Sequence, residues 1–155
     1  MDSYEEVPMI KTFRGLMADG AQDTIVLHTN DGSTGYRIVK FQIITKTPYD
    51  TNAAEHIIKI YKTSQTAVDG VVDFSDQTLL GVATINNNTA GYQYPITTTI
   101  IFDSEIFNQD LYITHKEAVN AEACNYYFEL EQVKLDLNQN TVATLKDIRN
   151  VTAPV

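Results

Sequence analysis

Cysteine is almost missing from this chain of 155 residues: Cys124 stands alone, so no disulfide can close within it, and nothing in its cysteine use suggests an oxidising compartment. Tryptophan is absent, which weakens any sugar-stacking platform and leaves that task to tyrosine. Basic residues are scarce, 11 Lys and Arg against 20 Asp and Glu, for a net charge of −9. Nucleic-acid affinity comes mostly from neutralising phosphates, so an acidic domain is a poor partner for nucleic acid, and equally for anionic membranes. No apolar run approaches the length of a membrane span. The first residues, Met1-Asp2-Ser3-Tyr4-Glu5-Glu6, are acidic rather than basic and then apolar, so they are not expected to act as a signal peptide. No glycine loop of the phosphate-cradling kind is present, and no His-Glu-x-x-His helix.

What is present is a pattern of strands. Apolar residues make up 43% of the chain, enough for one domain with a real core. The strongest signal is residues 124–137, Cys-Asn-Tyr-Tyr-Phe-Glu-Leu-Glu-Gln-Val-Lys-Leu-Asp-Leu. Cys124, Tyr126, Phe128 and Leu130 alternate there with polar or outward residues, the period of a strand with one face in a core. Val133, Leu135 and Leu137 continue on the other parity, so a β-bulge is expected near Glu131 and Gln132. On this reading Cys124 is a small buried apolar residue. Further strands are expected at 11–17, with Phe13 and Met17 inward, and at 24–29, buried on both faces. Residues 36–45 should place Val39, Phe41 and Ile43 on one side, and 55–62 should place Ile58 and Ile60 opposite Lys59 and Tyr61. More strands follow at 79–85, at 96–102 with Ile96, Ile100 and Phe102 on one side, and at 110–115. Asp19-Gly20, residues 30–35 and residues 86–91 read as turns. Past the central strand, Val142, Leu145 and Ile148 recur every third residue behind Asn140, which predicts a short helix over 140–149. The fold class expected is all-β, an antiparallel β-sandwich of jelly-roll type with a short C-terminal helix. Residues 1–10 form an arm, and 11–155 a single domain.

Chemistry is harder to find. His28, His56 and His115 show no metal-ligand spacing, and no nucleophile signature surrounds Cys124. Asp69, Asp73 and Asp76 lack EF-hand spacing, and Asp103, Glu105 and Asp110 are carboxylates that any acidic β-protein offers. The expectation is therefore no catalytic set, no cofactor and no metal. Contact residues are the better candidates. The arm carries Tyr4, Val7, Met9 and Ile10, and the long excursion 63–78 carries Val71, Val72 and Phe74, all outside any clear strand period. Tyr36, Tyr61, Tyr92, Tyr94, Tyr112 and Tyr127 fall near turns or on outward parities. They suit cross-strand pairing or an interface, with Tyr92 and Tyr94 the clearest interface candidates.

Residues 102–115, 123–131 and 143–149 together resemble small virion structural proteins of marine tailed bacteriophages, notably those infecting cyanobacteria. The segments cover roughly half the chain and consist of packing motifs, so no functional residue transfers with them. The resemblance implies a non-enzymatic, β-rich capsid decoration or cement subunit, made in the host cytoplasm and carried on the capsid surface. Its implied partners are the major capsid protein or other virion proteins and further copies of itself, with neither nucleic acid nor membrane among them. The alternatives are a tail or adaptor component, or a glycan-binding sandwich using Tyr92, Tyr94 and the 86–91 loop.

Overall fold

The computed structural model describes residues 9–48, 53–87, 96–136 and 144. Tyr4, Val7, Tyr92 and Tyr94 lie outside the described residues, as does the expected helix at 140–149 apart from Thr144. Among the described residues eight strands are formed: β1 (Ile10–Met17), β2 (Gln22–Ile25), β3 (Thr34–Thr45), β4 (Ala54–Tyr61), β5 (Leu79–Asn87), β6 (Ile96–Ile101), β7 (Leu111–Glu117) and β8 (Cys124–Lys134). They make two antiparallel sheets, a small one in the order β1-β8-β3 and a large one in the order β2-β7-β4-β5-β6. The all-β sandwich expected from the alternation is what forms.

The core lies between the sheets. From the small sheet, β8 contributes Cys124, Tyr126, Phe128 and Leu130, all buried, flanked by Phe13 and Met17 of β1 and Tyr36, Ile38 and Phe41 of β3. From the large sheet come Ile58 and Ile60 of β4, Leu80, Ala83 and Ile85 of β5, and Leu111 and Ile113 of β7. Phe128 stacks on Phe13 with ring centroids 5.1 Å apart and on Tyr126 at 5.9 Å. Gly81 faces inward on β5, where a Cβ would stand in ordinary packing contact with Phe41 at 3.6 Å.

Several details depart from the sequence expectation. The bulge is not in β8, whose residues from Glu131 to Lys134 pair without interruption with Arg37 back to Thr34. It sits in β3 between Ile38 and Lys40, with Val39 as the extra residue. β8 has a neighbouring strand on each side, so an insertion there would disturb two ladders, whereas β3 is an edge strand whose other side carries one bridge, from Tyr36 to Phe107. The bulge shifts the parity of β3: Tyr36 and Ile38 face inward before it, Phe41 and Ile43 after it. Leu135 is buried just past β8, where its N–H donates to the Ser33 carbonyl. The stretch expected at 24–29 is a short edge strand ending at Ile25. Leu27 is buried beyond it and Val26 is exposed, because an edge strand has solvent beside it. In β6 the parity is inverted. Ile101 packs on the core, while Ile96 and Ile100 are exposed, because pairing of Ala83 with Thr99 and Gly81 with Ile101 puts the odd positions inward. Ile10 is not part of a free arm, since it opens β1 opposite Glu131, and the Met9 carbonyl accepts from the Gln132 N–H at 2.8 Å.

Phe128→Ala is expected to destabilise the protein by about 3–5 kcal/mol, the sum of lost burial and an unfilled cavity. Urea denaturation monitored by circular dichroism measures it, and a midpoint equal to wild type would remove Phe128 from the core.

Candidate functional site

The first candidate is a polar cluster inside the sandwich. His56 lies near the start of β4 and His115 near the end of β7, both on the inward face of the large sheet, and Cys124 opens β8 on the facing side. All three are fully buried, and one donor atom from each lies within 4.8 Å of the other two. The turn between β1 and β2, carrying the Asp19-Gly20 signal, sets the geometry. It crosses from one sheet to the other and wraps His115: the Gly20 N–H donates to the His115 carbonyl at 2.8 Å, and the His115 N–H donates to the Ala21 carbonyl at 3.1 Å. His115 Nδ1, 3.0 Å from the Ala18 carbonyl, must carry a proton to donate there, which leaves Nε2 as a lone pair facing the cluster. Gly20 has φ +79°, a conformation that favours glycine, so the sequence signal for the turn is also what positions the histidine.

With both rings neutral, His56 Nδ1–H donates to His115 Nε2 at 2.9 Å. The remaining nitrogen, His56 Nε2, is buried and has no hydrogen-bond partner. A buried acceptor left this way costs about 1–3 kcal/mol. Burial, and then His115 beside it, hold the His56 pKa below the usual histidine value, with Glu117 and Asp19 opposing. Two residues beyond His115, burial pushes the Glu117 carboxyl up, but hydrogen bonds from the backbone N–H groups of Glu55, Val119, Asn120 and Glu122 outweigh it and lower its pKa. Glu117 thus ties the 118–122 turn beneath the histidine pair. Burial pushes the Cys124 thiol up to about 12, the opposite of what a nucleophilic cysteine needs.

The other polar candidates are taken up by the fold. His28 is on the surface, 2.7 Å from Asp110, whose carboxylate also accepts the Leu27 and His28 N–H groups. Asp69, Asp73 and Asp76 each accept the backbone N–H two residues on, from Val71, Ser75 and Thr78, so they are turn-makers. Glu105 lies 3.6 Å from the buried Lys62 ammonium. Tyr36 and Tyr61 are buried rather than outward, Tyr36 against Phe107. Tyr127 does face outward and donates to Glu129.

The contact candidates divide. Val71, Val72 and Phe74 are exposed on the 62–78 loop, which folds over the outer face of β4: Gly70 sits against Ile57, and Lys59 reaches Asp69 at 3.0 Å and the Val71 carbonyl. Met9 and Ile10 are exposed beside β8. Two surfaces have no counterpart in the sequence expectation. One is the outer face of the small sheet, an open groove of about 590 Å³ where exposed Leu16 and Ile44 flank Asn125. The other is β6, Ile-Thr-Thr-Thr-Ile-Ile, exposed along nearly its whole length at the edge of the large sheet. Its threonines read as a half-buried strand, and only the sheet order shows that, among the described residues, no further strand pairs with it. No protein-family model matches the chain, and no curated protein is similar to it.

Two outcomes follow from this geometry. In the native protein at pH 8 the Cys124 thiol is expected not to react with a disulfide reagent, and to react fully on addition of denaturant; rapid native labelling would place it at the surface. For the loop, Asp69→Ala is expected to cost more than Lys59→Met. The lysine side chain is 3% exposed and the aspartate 60%, so removing the acid leaves a buried ammonium without its counter-charge, held by the Val71 carbonyl and the Tyr61 ring, while removing the lysine leaves a carboxylate that water solvates. The lysine without its counter-charge is worth about 2 kcal/mol and the reverse change under about 1 kcal/mol, measured as paired urea midpoints. The opposite order would mean that the Val71 carbonyl and the Tyr61 ring, and not Asp69, satisfy the buried ammonium.

Proposed function

We propose that this protein is a non-enzymatic virion structural protein, a capsid decoration or cement subunit that acts by surface contacts with copies of itself and with the major capsid protein. The resemblance of residues 102–115, 123–131 and 143–149 to phage virion proteins motivates the class. One observation carries the mode of action. Among the described residues the two sheets have four edge strands, and three of them bear charge: Lys11 and Arg14 on β1, Arg37 and Lys40 on β3, and Asp23 on β2. β6 bears none, contains no proline, and is exposed. Charged side chains and bulges are the usual guards against edge-to-edge pairing, and an unguarded edge presents its N–H and C=O groups to another strand. The pairing strand we assign is β6 of a second copy, in antiparallel two-fold contact. A chain of net charge −9 repels itself elsewhere, and this uncharged strand is where two copies approach at least cost. Phe74, standing edge-on to Phe102 directly after β6, extends the contact with apolar area. The tail or adaptor alternative draws on the same edge.

Sedimentation of the full chain is expected to show a dimer or higher oligomer that Thr98→Lys returns to monomer, since the substitution places like charges across the pairing. The chain is also expected to co-sediment with capsids lacking it. A wild-type protein that is monomeric and does not bind such capsids would end this reading.

A further inference from the structure

We propose that His56, His115 and Cys124 form a binding site for a single monovalent copper ion inside the sandwich. The donor set is two imidazoles and one thiolate, the combination that suits soft, thiophilic metals. The arrangement around it is that of a ligand set. The His115 ring is oriented by the Ala18 carbonyl on Nδ1, which fixes the tautomer with Nε2 free to bind, the usual outer-shell support of a metal-bound histidine. His56 turns Nδ1 toward His115 Nε2 at 2.9 Å, so the two rings present a nitrogen each to the same buried space.

The fit requires only small movements. Metal–nitrogen bonds of about 2.0–2.1 Å in a trigonal plane set the two nitrogens about 3.5 Å apart. His56 Nδ1 and His115 Nε2 are now 2.9 Å apart, and no donor atom of the cluster is more than 4.8 Å from another, so the rings part slightly while the sulfur closes in. Met17 is the cross-strand partner of Cys124 and is buried on the same face, so a second soft sulfur stands beside the site.

Charge selects the ion. Binding replaces the thiol proton, which leaves to solvent, and moves the His56 ring proton from Nδ1 to Nε2, so that Nδ1 offers the metal a lone pair. Monovalent copper, one thiolate and two neutral imidazoles sum to zero, so nothing charged is left buried. A divalent zinc ion on the same three ligands leaves a net positive charge in the core and, among the described residues, lacks the fourth protein ligand of a structural zinc site. A surface cleft lies at the same end of the sandwich, next to the three buried donors and not lined by them. It measures about 170 Å³ and is lined by Thr45 and Ile85, the cross-strand partners of Cys124 and His56, and by Ala54 two residues before His56.

The proposal does not depend on the assembly reading. The test uses the full chain, reduced, metal-free and anaerobic, titrated with Cu(I) against a chromophoric Cu(I) chelator and separately with Zn(II). One Cu(I) per chain is expected, held more tightly than Zn(II), with at least a tenfold loss of affinity in Cys124→Ser and in His115→Gln. Because core variants can fail to fold, the deciding measurement is made on the wild type. X-ray absorption at the copper edge is expected to show sulfur together with imidazole nitrogen in the coordination sphere. No retained copper, copper bound only by nitrogen and oxygen, Cu(I) affinity unchanged in a folded Cys124→Ser protein, or binding of Zn(II) in preference to Cu(I) would each overturn it.

Discussion

The small sheet depends on one strand. Among the described strands β1 and β3 do not pair with each other and β8 is the one that pairs with both, so the sheet exists because β8 holds a neighbour on both sides. What fixes β8 is the burial of alternate side chains, Cys124, Tyr126, Phe128 and Leu130, against the large sheet, with Phe128 stacked between Phe13 and Tyr126. A one-residue slip would turn all of them to solvent, so register and position are set together. The same constraint sends the bulge to β3, an edge strand. It also brings Cys124, at the first position of β8, into the layer that His56 and His115 reach from the other sheet.

The large sheet solves a different problem. Its central strands would expose their outer face, and the 62–78 loop covers that face over β4 by burying a lysine. Lys59 is covered on the sheet side, lies 5.4 Å from the Tyr61 ring, and meets Asp69 and a backbone carbonyl at its tip. The loop's own aspartates satisfy its turns, so it keeps a defined shape without regular structure. It thereby holds Val71, Val72 and Phe74 outward on a fixed backbone. A surface patch held this way loses little conformational freedom on contact with a partner, which a free loop would.

The two functional inferences occupy opposite kinds of space. Assembly through β6 draws on backbone groups and threonine side chains at an open edge, where the absence of charge is what matters. The copper site draws on three buried donors where the balance of charge decides which ion is tolerated. A metal joining β4 and β7 to β8 would also tie the two sheets together at one end of the sandwich, a cross-link in a chain whose lone cysteine cannot form a disulfide.

Much of this could be read from the sequence. Period-two alternation in 124–137, 36–45 and 55–62 required strands with one buried face, Asp19-Gly20 required a turn, and Cys124 fell on a buried parity. Each follows from local chemistry, because alternation, turn residues and β-branched content act within a few neighbours. Other features belonged to the tertiary structure alone. The irregular position was expected near Gln132, and it lies at Val39 because β8 has a neighbour on both sides, which only the sheet order shows. Ile100 and Thr99 differ by one residue, and only the pairing with β5 decides which faces in. His56 and His115 are 59 residues apart, on strands that the sheet order makes adjacent, and Cys124 meets them across the core from the other sheet. A strand's sequence records that one of its faces is buried; what lies across from that face is decided by the strands that bury it.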